Sequence, residues 1–290
     1  MKANALVSPE KTLFKIKKDG LDLERYLARI NYSGPLTPTL ETLQKLHFQH
    51  AISIPFENLN PFLKQPVPLD IESLQRKMVE EGRGGYCFEQ NQLFAEALRA
   101  LGFQVKGLAA RVLWNVPAGV TTARAHMLLL VHLEDADYIA DVGFGGLTLT
   151  GPLRLLETGE QKTPHETFRL VPQENEFVLQ AKIQGNWKPM YRFSLQEQFA
   201  PDYEVSNWFT STHPRSPFVN GLMFARTTPQ ARYALRNYEL SIHHENGITE
   251  KQVLTSPAQV KTVLEEVFKL PLPNTPELDQ SLHLIMQPLD

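Results

Sequence analysis

The only cysteine in the chain, Cys87, sits in the segment Arg83-Gly84-Gly85-Tyr86-Cys87-Phe88-Glu89. Downstream of it, Leu93, Ala97 and Leu101 fall on one helical line with Phe94 and Leu98 beside it, and Gly102 follows. This pattern predicts a glycine turn that becomes a helix at Cys87. The first N–H groups of a helix lack an internal partner and their dipoles favour negative charge. A thiolate is therefore stabilised there, and the same N–H groups can receive the oxyanion formed when a thioester or amide carbonyl is attacked. The alternative for a lone thiol is simple packing in a core.

A nucleophilic cysteine needs a base and a group that orients the base. Of nine histidines, His47 and His50 lie at i, i+3 on a helix and are expected to solvate it. The pair His243-His244 alternates sides of a strand and cannot focus on one ion. His126 stands differently, opening the apolar run Met127-Leu128-Leu129-Leu130-Val131 at the mouth of a buried strand. The next strand, Tyr138-Ile139-Ala140, leads into Asp141 and the loop Gly143-Phe144-Gly145-Gly146. With Glu134 to Asp137 as the hairpin loop, Asp141 lies opposite Leu130. His126 and Asp141 then share a face but stand four residues apart, about 13 Å along a strand, which is beyond a hydrogen bond. A tighter turn or a bulge has to close that gap. The glycine loop itself fails GxGxxG because Thr148 occupies the last position, and no GxxxxGK[ST], HExxH or GxSxG occurs.

The elements that must hold these residues change period along the chain. Helical signals run over 21–30, from a Thr37-Pro38 cap towards His50, over 71–81 with Asp70 as cap and Gly82 as stop, and over 87–101. After Gly102 the period becomes that of strands: 105–114, 125–133, 138–142, 167–171 and 176–183. The last third mixes strands at 218–226, 232–243 and 248–254, with Asn246-Gly247 as a hairpin turn, and a helix capped at Ser256-Pro257-Ala258-Gln259 running to about Phe268. Helices, then strands, then a mixture define an α+β class.

Composition narrows the remaining possibilities. The 290 residues amount to about two domains, or three small ones, at roughly 150 residues each. A 42% hydrophobic and 21% charged chain is ordinary for a folded globular protein. Its net charge of −3 offers no basic excess for a nucleic-acid backbone, and the apolar runs are far short of a membrane span. One cysteine makes no internal disulfide and no Cys-rich zinc site, so no metal is expected and a reducing, cytoplasmic location is. The lysine-rich residues 1–20 show neither apolar periodicity nor an apolar leader core and read as a loosely held extension.

The whole set of motifs resembles the arylamine N-acetyltransferases. Arg83 to Glu89 resembles that family's active-cysteine motif, and Pro55-Phe56-Glu57-Asn58-Leu59 the motif upstream of it. His126 with its apolar strand, and Asp141-Val142-Gly143-Phe144-Gly145, match the histidine and aspartate segments in order and spacing. Asn207-Trp208-Phe209-Thr210-Ser211-Thr212-His213-Pro214 is similar to a stretch near the start of the last domain. The likeness spans about 21–268 and is patchy over 150–190.

The resemblance implies a helical bundle over 21–103, a β-barrel over 104–206 and an α/β lid over 207–290, around a cysteine-protease-like core. It implies Cys87 as nucleophile, His126 as base and Asp141 as its orienting partner, with strand irregularity closing the gap noted above. It implies acetyl-CoA as acyl donor and aromatic amines or hydrazines as acceptors, in ping-pong order through an acetyl-thioester. Thr122 and Ala123 match a stretch whose backbone contacts CoA. Phe56 and Phe144 look like aromatic walls for a flat substrate, with core packing as their alternative. The order Cys, His, Asp also fits a cysteine hydrolase, a transglutaminase-like enzyme or an amide synthase, and a lone thiol also fits a CoA-binding or redox-sensing protein.

Overall fold

The computed structural model describes residues 20–286 apart from 118, 158 and 246. Residues 1–19 of the expected extension, and Asn246 of the expected hairpin turn, lie outside the described residues. The chain opens with helices α1 (Leu23–Arg29) and α2 (Leu40–Ser53), strand β1 (Phe56–Glu57) and the short α3 (Leu59–Phe62). Helix α4 (Ile71–Gln75) runs on as a π-helical turn over Arg76–Glu80, and α5 (Cys87–Ala100) follows. Asp70 caps α4 by accepting from the Ser73 N–H at 2.9 Å. Helix α2 starts two residues later than its Thr37-Pro38 signal. Thr39 has the extended backbone of a cap and its hydroxyl accepts from the Thr42 N–H, leaving Pro38 outside. The expected single helix over 71–81 is part π-helix, ending at Gly82 with φ +70°.

The middle of the chain is one antiparallel sheet of eight strands in the order β5-β4-β3-β2-β9-β8-β7-β6. They are β2 (Gln104–Val112), β3 (His126–Leu133), β4 (Ala136–Ala140), β5 (Leu153–Arg154), β6 (Gln161–Lys162), β7 (Thr167–Gln173), β8 (Glu176–Ile183) and β9 (Asn186–Phe193). The sheet curls until its two edges nearly meet. A side chain bridges that seam: the Gln161 amide accepts from Arg154 N at 2.7 Å and donates to Arg154 O at 3.0 Å. Strand β9 has no counterpart among the expected strands because Pro189 interrupts it. Pro189 sits where the β8–β9 register shifts between Leu179 and Gln180, and such a break tolerates a residue without an N–H.

Helix α6 (Ala200–Thr212) and α7 (Pro217–Asn220) lead into a second sheet, which α8 (Pro257–Glu266) and α9 (Pro276–Ile285) cover. Its order is β1-β10-β11-β12-β13, with β10 (Met223–Thr228), β11 (Ala231–Arg236), β12 (Glu239–His244) and β13 (Thr249–Val253). The strand expected over 232–243 is therefore two strands, turned at Asn237 with φ 54°. The start of 218–226 belongs to α7, and the expected boundary between 206 and 207 falls inside α6. Among the described residues no helix is long and apolar enough to cross a membrane.

Two cores meet on β3, which explains its uninterrupted apolar run. Met127, Leu129 and Val131 pack with the helices, while Leu128 and Leu130 fill the barrel. A strand buried on both faces cannot alternate with polar residues. Strand β1 ties these layers to the second sheet, because Phe56 and Glu57 pair with Ala225 and Phe224 of β10. The loop before Cys87 is laid against the same segment. Glu57 N donates to Gly85 O at 3.1 Å, and a Cβ on Gly84 would stand 2.1 Å from the Pro55 carbonyl oxygen. Gly84→Ala is accordingly expected to lower unfolding stability by about 1–3 kcal/mol, since backbone has to move. A reduced urea midpoint at unchanged slope checks this, and an unaltered midpoint contradicts it.

Candidate active site

Cys87 is the first residue of α5 and is buried, with Sγ 3.7 Å from the Ala125 carbonyl. Its loop is held from beneath by ions. Arg83 donates to Glu57 at 2.6 Å, and Lys77 stands 3.4 Å from Glu57 and 2.7 Å from Glu89. Burial acts to raise the Glu57 carboxyl, but the charges of Lys77 and Arg83 outweigh it and hold the group below its ordinary value. Glu89 also accepts from the Tyr86 N–H at 3.0 Å, which locks the residue before Cys87 into the helix start.

His126 stands at the first position of β3 and Asp141 one residue past the end of β4. The β3–β4 hairpin turns at Glu134-Asp135, so Leu133 pairs with Ala136 and Leu129 with Ala140. Continuing this register puts Asp141 opposite Leu128, about 7 Å along the strand from His126 rather than 13 Å. The shift from the expected register is two residues, an even number, so the shared face survives. A tighter turn, not an irregular strand, brings the residues together: His126 Nε2 and Asp141 Oδ2 are 2.7 Å apart. With Nε2 donating to the carboxylate, Nδ1 is the ring nitrogen left over, and Cys87 is near enough to act on the charge of the imidazole.

Both members of the pair are buried. Burial lowers the His126 pKa, but the Asp141 charge and hydrogen bond, followed by Cys87, overcome it and raise it to about 10. Burial likewise acts to raise Asp141, and His126, Asn91 and the Gly143 N–H hold it below its ordinary value. Asn91 lies one turn after Cys87 on α5, donating to Asp141 Oδ1 at 3.0 Å and to Met127 O at 2.8 Å while accepting from Val142 N at 3.1 Å. Gly143 does more than turn the chain. A Cβ there would lie 2.7 Å from Cys87 Cα, so glycine lets the aspartate loop pass against the first turn of α5.

His47 and His50 are buried, contrary to the expectation that they solvate α2. His47 Nε2 accepts from the Asp141 N–H at 3.1 Å, and burial lowers its pKa to about 4 against the opposing charge of Asp141. His50 is lowered to about 3, chiefly by burial, and joins the Tyr26 hydroxyl at 2.8 Å to Gln90 at 2.9 Å. Gln90 then donates to the carbonyls of Pro55 and Gly85, both at 3.0 Å.

Phe144 meets the His126 ring edge to face at 5.2 Å, and Tyr191 of β9 lies 4.9 Å from the same ring. Phe56 lies beneath Gly145, whose Cβ position is 3.5 Å from its ring, and Phe218 flanks it at 6.2 Å. Phe56 and Phe144 are both half-buried, Phe56 packing against the helical core and Phe144 against the barrel core. Thr122 is tied to the end of β2, its hydroxyl donating to Val112 O at 2.9 Å and its carbonyl accepting from Arg111, while Ala123 is exposed. Sequence reasoning did not find Asn91, His47, His50, Gln90 or Tyr191. Asn91 and Gln90 carry a signal, the i, i+4 and i, i+3 spacing from Cys87 on α5. His47, His50 and Tyr191 come from other elements.

The buried thiol at the start of α5, and the buried histidine paired to a carboxylate, lie where the helical bundle meets the barrel. A family profile described as N-acetyltransferase matches residues 39–276. The arylamine N-acetyltransferase of Escherichia coli strain K12 is 42% identical over 250 residues, 86% of this chain and 88% of the relative. That of Mycobacterium tuberculosis strain H37Rv is 44% identical over 252 residues, 86% and 89% of the two chains. The structure of the Mycobacterium marinum arylamine N-acetyltransferase in complex with CoA superposes with a TM-score of 0.87 at 41% identity, covering 91% of this chain and 99% of that one. This chain belongs to the arylamine N-acetyltransferase family, an acyltransferase family.

The charge pair has a pH signature. The raised His126 value adds stability that is complete below the free value of 6.5 and lost as pH rises through about 10. The lowered Asp141 value adds stability that is complete above 3.8 and lost as pH falls. Asp141→Asn removes the raising charge and leaves burial dominant, so the His126 midpoint is expected to drop from about 10 to below 6.5. Nitrogen NMR of the labelled imidazole reads this directly, and a variant midpoint still near 10 contradicts the assignment.

Proposed function

We propose that the chain transfers an acetyl group from acetyl-CoA to the nitrogen of arylamines and arylhydrazines, in ping-pong order through an acetyl-thioester on Cys87. The observation that carries this reading is the buried His126, held by Asp141 at 2.7 Å through Nε2, with the buried Cys87 near enough to act on its charge. The CoA bound in the related Mycobacterium marinum structure supports the donor. The names of the relatives support the acceptor class.

His126 takes the thiol proton, and Asp141 stabilises the imidazolium that forms. The Cys87 thiolate attacks the acetyl-CoA carbonyl, and the N–H groups at the start of α5 receive the developing oxyanion. The carbon–sulfur bond to CoA then breaks, and CoA leaves as a thiol with the proton from His126. This exchange of one thioester for another is nearly thermoneutral. An arylamine, unprotonated at neutral pH, next attacks the acetyl carbon of the enzyme thioester. His126 takes the amine proton as the bond to Cys87 Sγ breaks, which releases the amide and restores the ion pair. Formation of the amide is the downhill step.

In this reading Phe56 and Phe144 flank the flat acceptor, and the backbone at Thr122 and Ala123 contacts CoA. The free thiol suits a reducing cytoplasm.

Intact-mass spectrometry after brief exposure to acetyl-CoA without amine is expected to show one added acetyl group, mapped to Cys87 and discharged by an aromatic amine. Unmodified protein would remove this donor and point to a hydrolase or another acyl group. Cys87→Ser and Cys87→Ala are expected to stay folded and lose at least about 10³-fold in kcat/KM. Near-normal steady-state activity in either variant removes Cys87 from the mechanism.

A further inference from the structure

Resting on that reading, we propose that Arg232, on the second sheet, is a positioning residue that sets the gap between Phe56 and Phe144 and thereby determines which amines are accepted. Arg232 lies on β11, away from Cys87 in sequence, and is only 3% exposed. A guanidinium so buried is stable only if its donors are used, and every one of its nitrogens donates. Nε donates to Glu166 Oε1 at 2.7 Å and Nη2 to the other carboxylate oxygen, forming a fork. Nη1 donates to the Thr227 hydroxyl at 3.0 Å, on the strand next to it. Nη2 also donates to Thr148 O at 2.9 Å.

Thr148 is the end of the loop that carries Phe144. Its hydroxyl donates to Asp141 O at 3.2 Å and accepts from Phe144 N at 3.3 Å, closing the loop on itself. Arg232 thus fixes the closed loop to the lid. Ala234, two residues on and on the same face of β11, lies 4.0 Å from the Cβ position of Gly146 in that loop. The other wall hangs from the same sheet. Phe56 pairs with Ala225, and Ala225 pairs with Ala234. Both aromatic walls are therefore indexed to β10 and β11, Phe56 by backbone pairing and Phe144 through Arg232. Thr148 reaches the backbone carbonyl of Asp141, whereas its carboxylate is held by His126, Asn91 and the Gly143 N–H, so loosening the clamp affects the acceptor space before it affects the thiol.

The test uses the full chain with Arg232→Lys, which loses the fork, and Glu166→Gln, which keeps its shape and removes the charge. Acetylation of Cys87 by acetyl-CoA is timed by intact mass, and discharge is then measured with hydrazine, aniline and the tricyclic 2-aminofluorene. The first half-reaction is expected to stay within about threefold of the parent. The ratio of kcat/KM for the tricyclic amine to that for hydrazine is expected to change about tenfold or more, mainly through KM. An unchanged ratio, or an equal loss with all acceptors and in acetylation, overturns the proposal. Should Arg232→Lys fail to fold by circular dichroism, Glu166→Gln carries the same expectations. If the parent chain is not acetylated at all, the functional reading falls and this inference with it. A normally acetylated parent with unaltered selectivity in the variants sinks this inference alone.

Discussion

A carboxylate with no exposure to water, Asp141, is the constraint around which the rest of the molecule is arranged. Removing such a charge from water is unfavourable unless its oxygens are fully engaged. Here they are engaged by His126 from β3, Asn91 from α5 and the N–H of Gly143. The backbone of the same residue is held by His47 from α2 and by Thr148. Helical bundle and barrel therefore share one polar centre, and neither can satisfy it alone. The neutral state of His47 follows from the same demand, because only an unprotonated Nε2 can accept from the Asp141 N–H.

The other half of the site is built by close approach rather than by charge. Gly143 lets the aspartate loop touch the first turn of α5, and Gly84 lets the cysteine loop lie on Pro55. Two buried networks then stiffen that loop. One is ionic, through Glu57, Lys77, Arg83 and Glu89, and the other is neutral, from Tyr26 through His50 to Gln90. Helix α6 closes a third side, where Asn207 accepts from the Tyr86 hydroxyl and donates to Val67 O at 2.8 Å. A thiol loop supported from so many directions has little conformational freedom left to lose.

Much of this was readable in the residues because the local signals were strong. The turn and helix at Cys87, the Asp70 cap and the doubly buried strand after His126 each follow from spacing alone. The shared face of His126 and Asp141 also survived a wrong turn length, since parity is unaffected by a two-residue shift. Strand β9 is hidden because Pro189 argues locally against a strand, and the bulge beside it, at Met190, arises only in the pairing with β8. Tyr191 went missing with it. His47 and His50 were misread because their helix face is covered by α5 and the barrel, a fact outside their own element.

Local signals along the chain place one thiol at a helix start, one histidine at the head of a buried strand and one acid before a glycine loop. Helix starts, strand faces and tight turns are set by neighbours within a few residues, so those signals need no fold. Packing between layers sets the distance from His126 to Asp141, the burial that governs their charges, and the partners Asn91 and His47 that hold Asp141. Each of these depends on segments dozens of residues apart meeting at ångström precision. Packing between layers fixes that, and no periodicity along a single element encodes it.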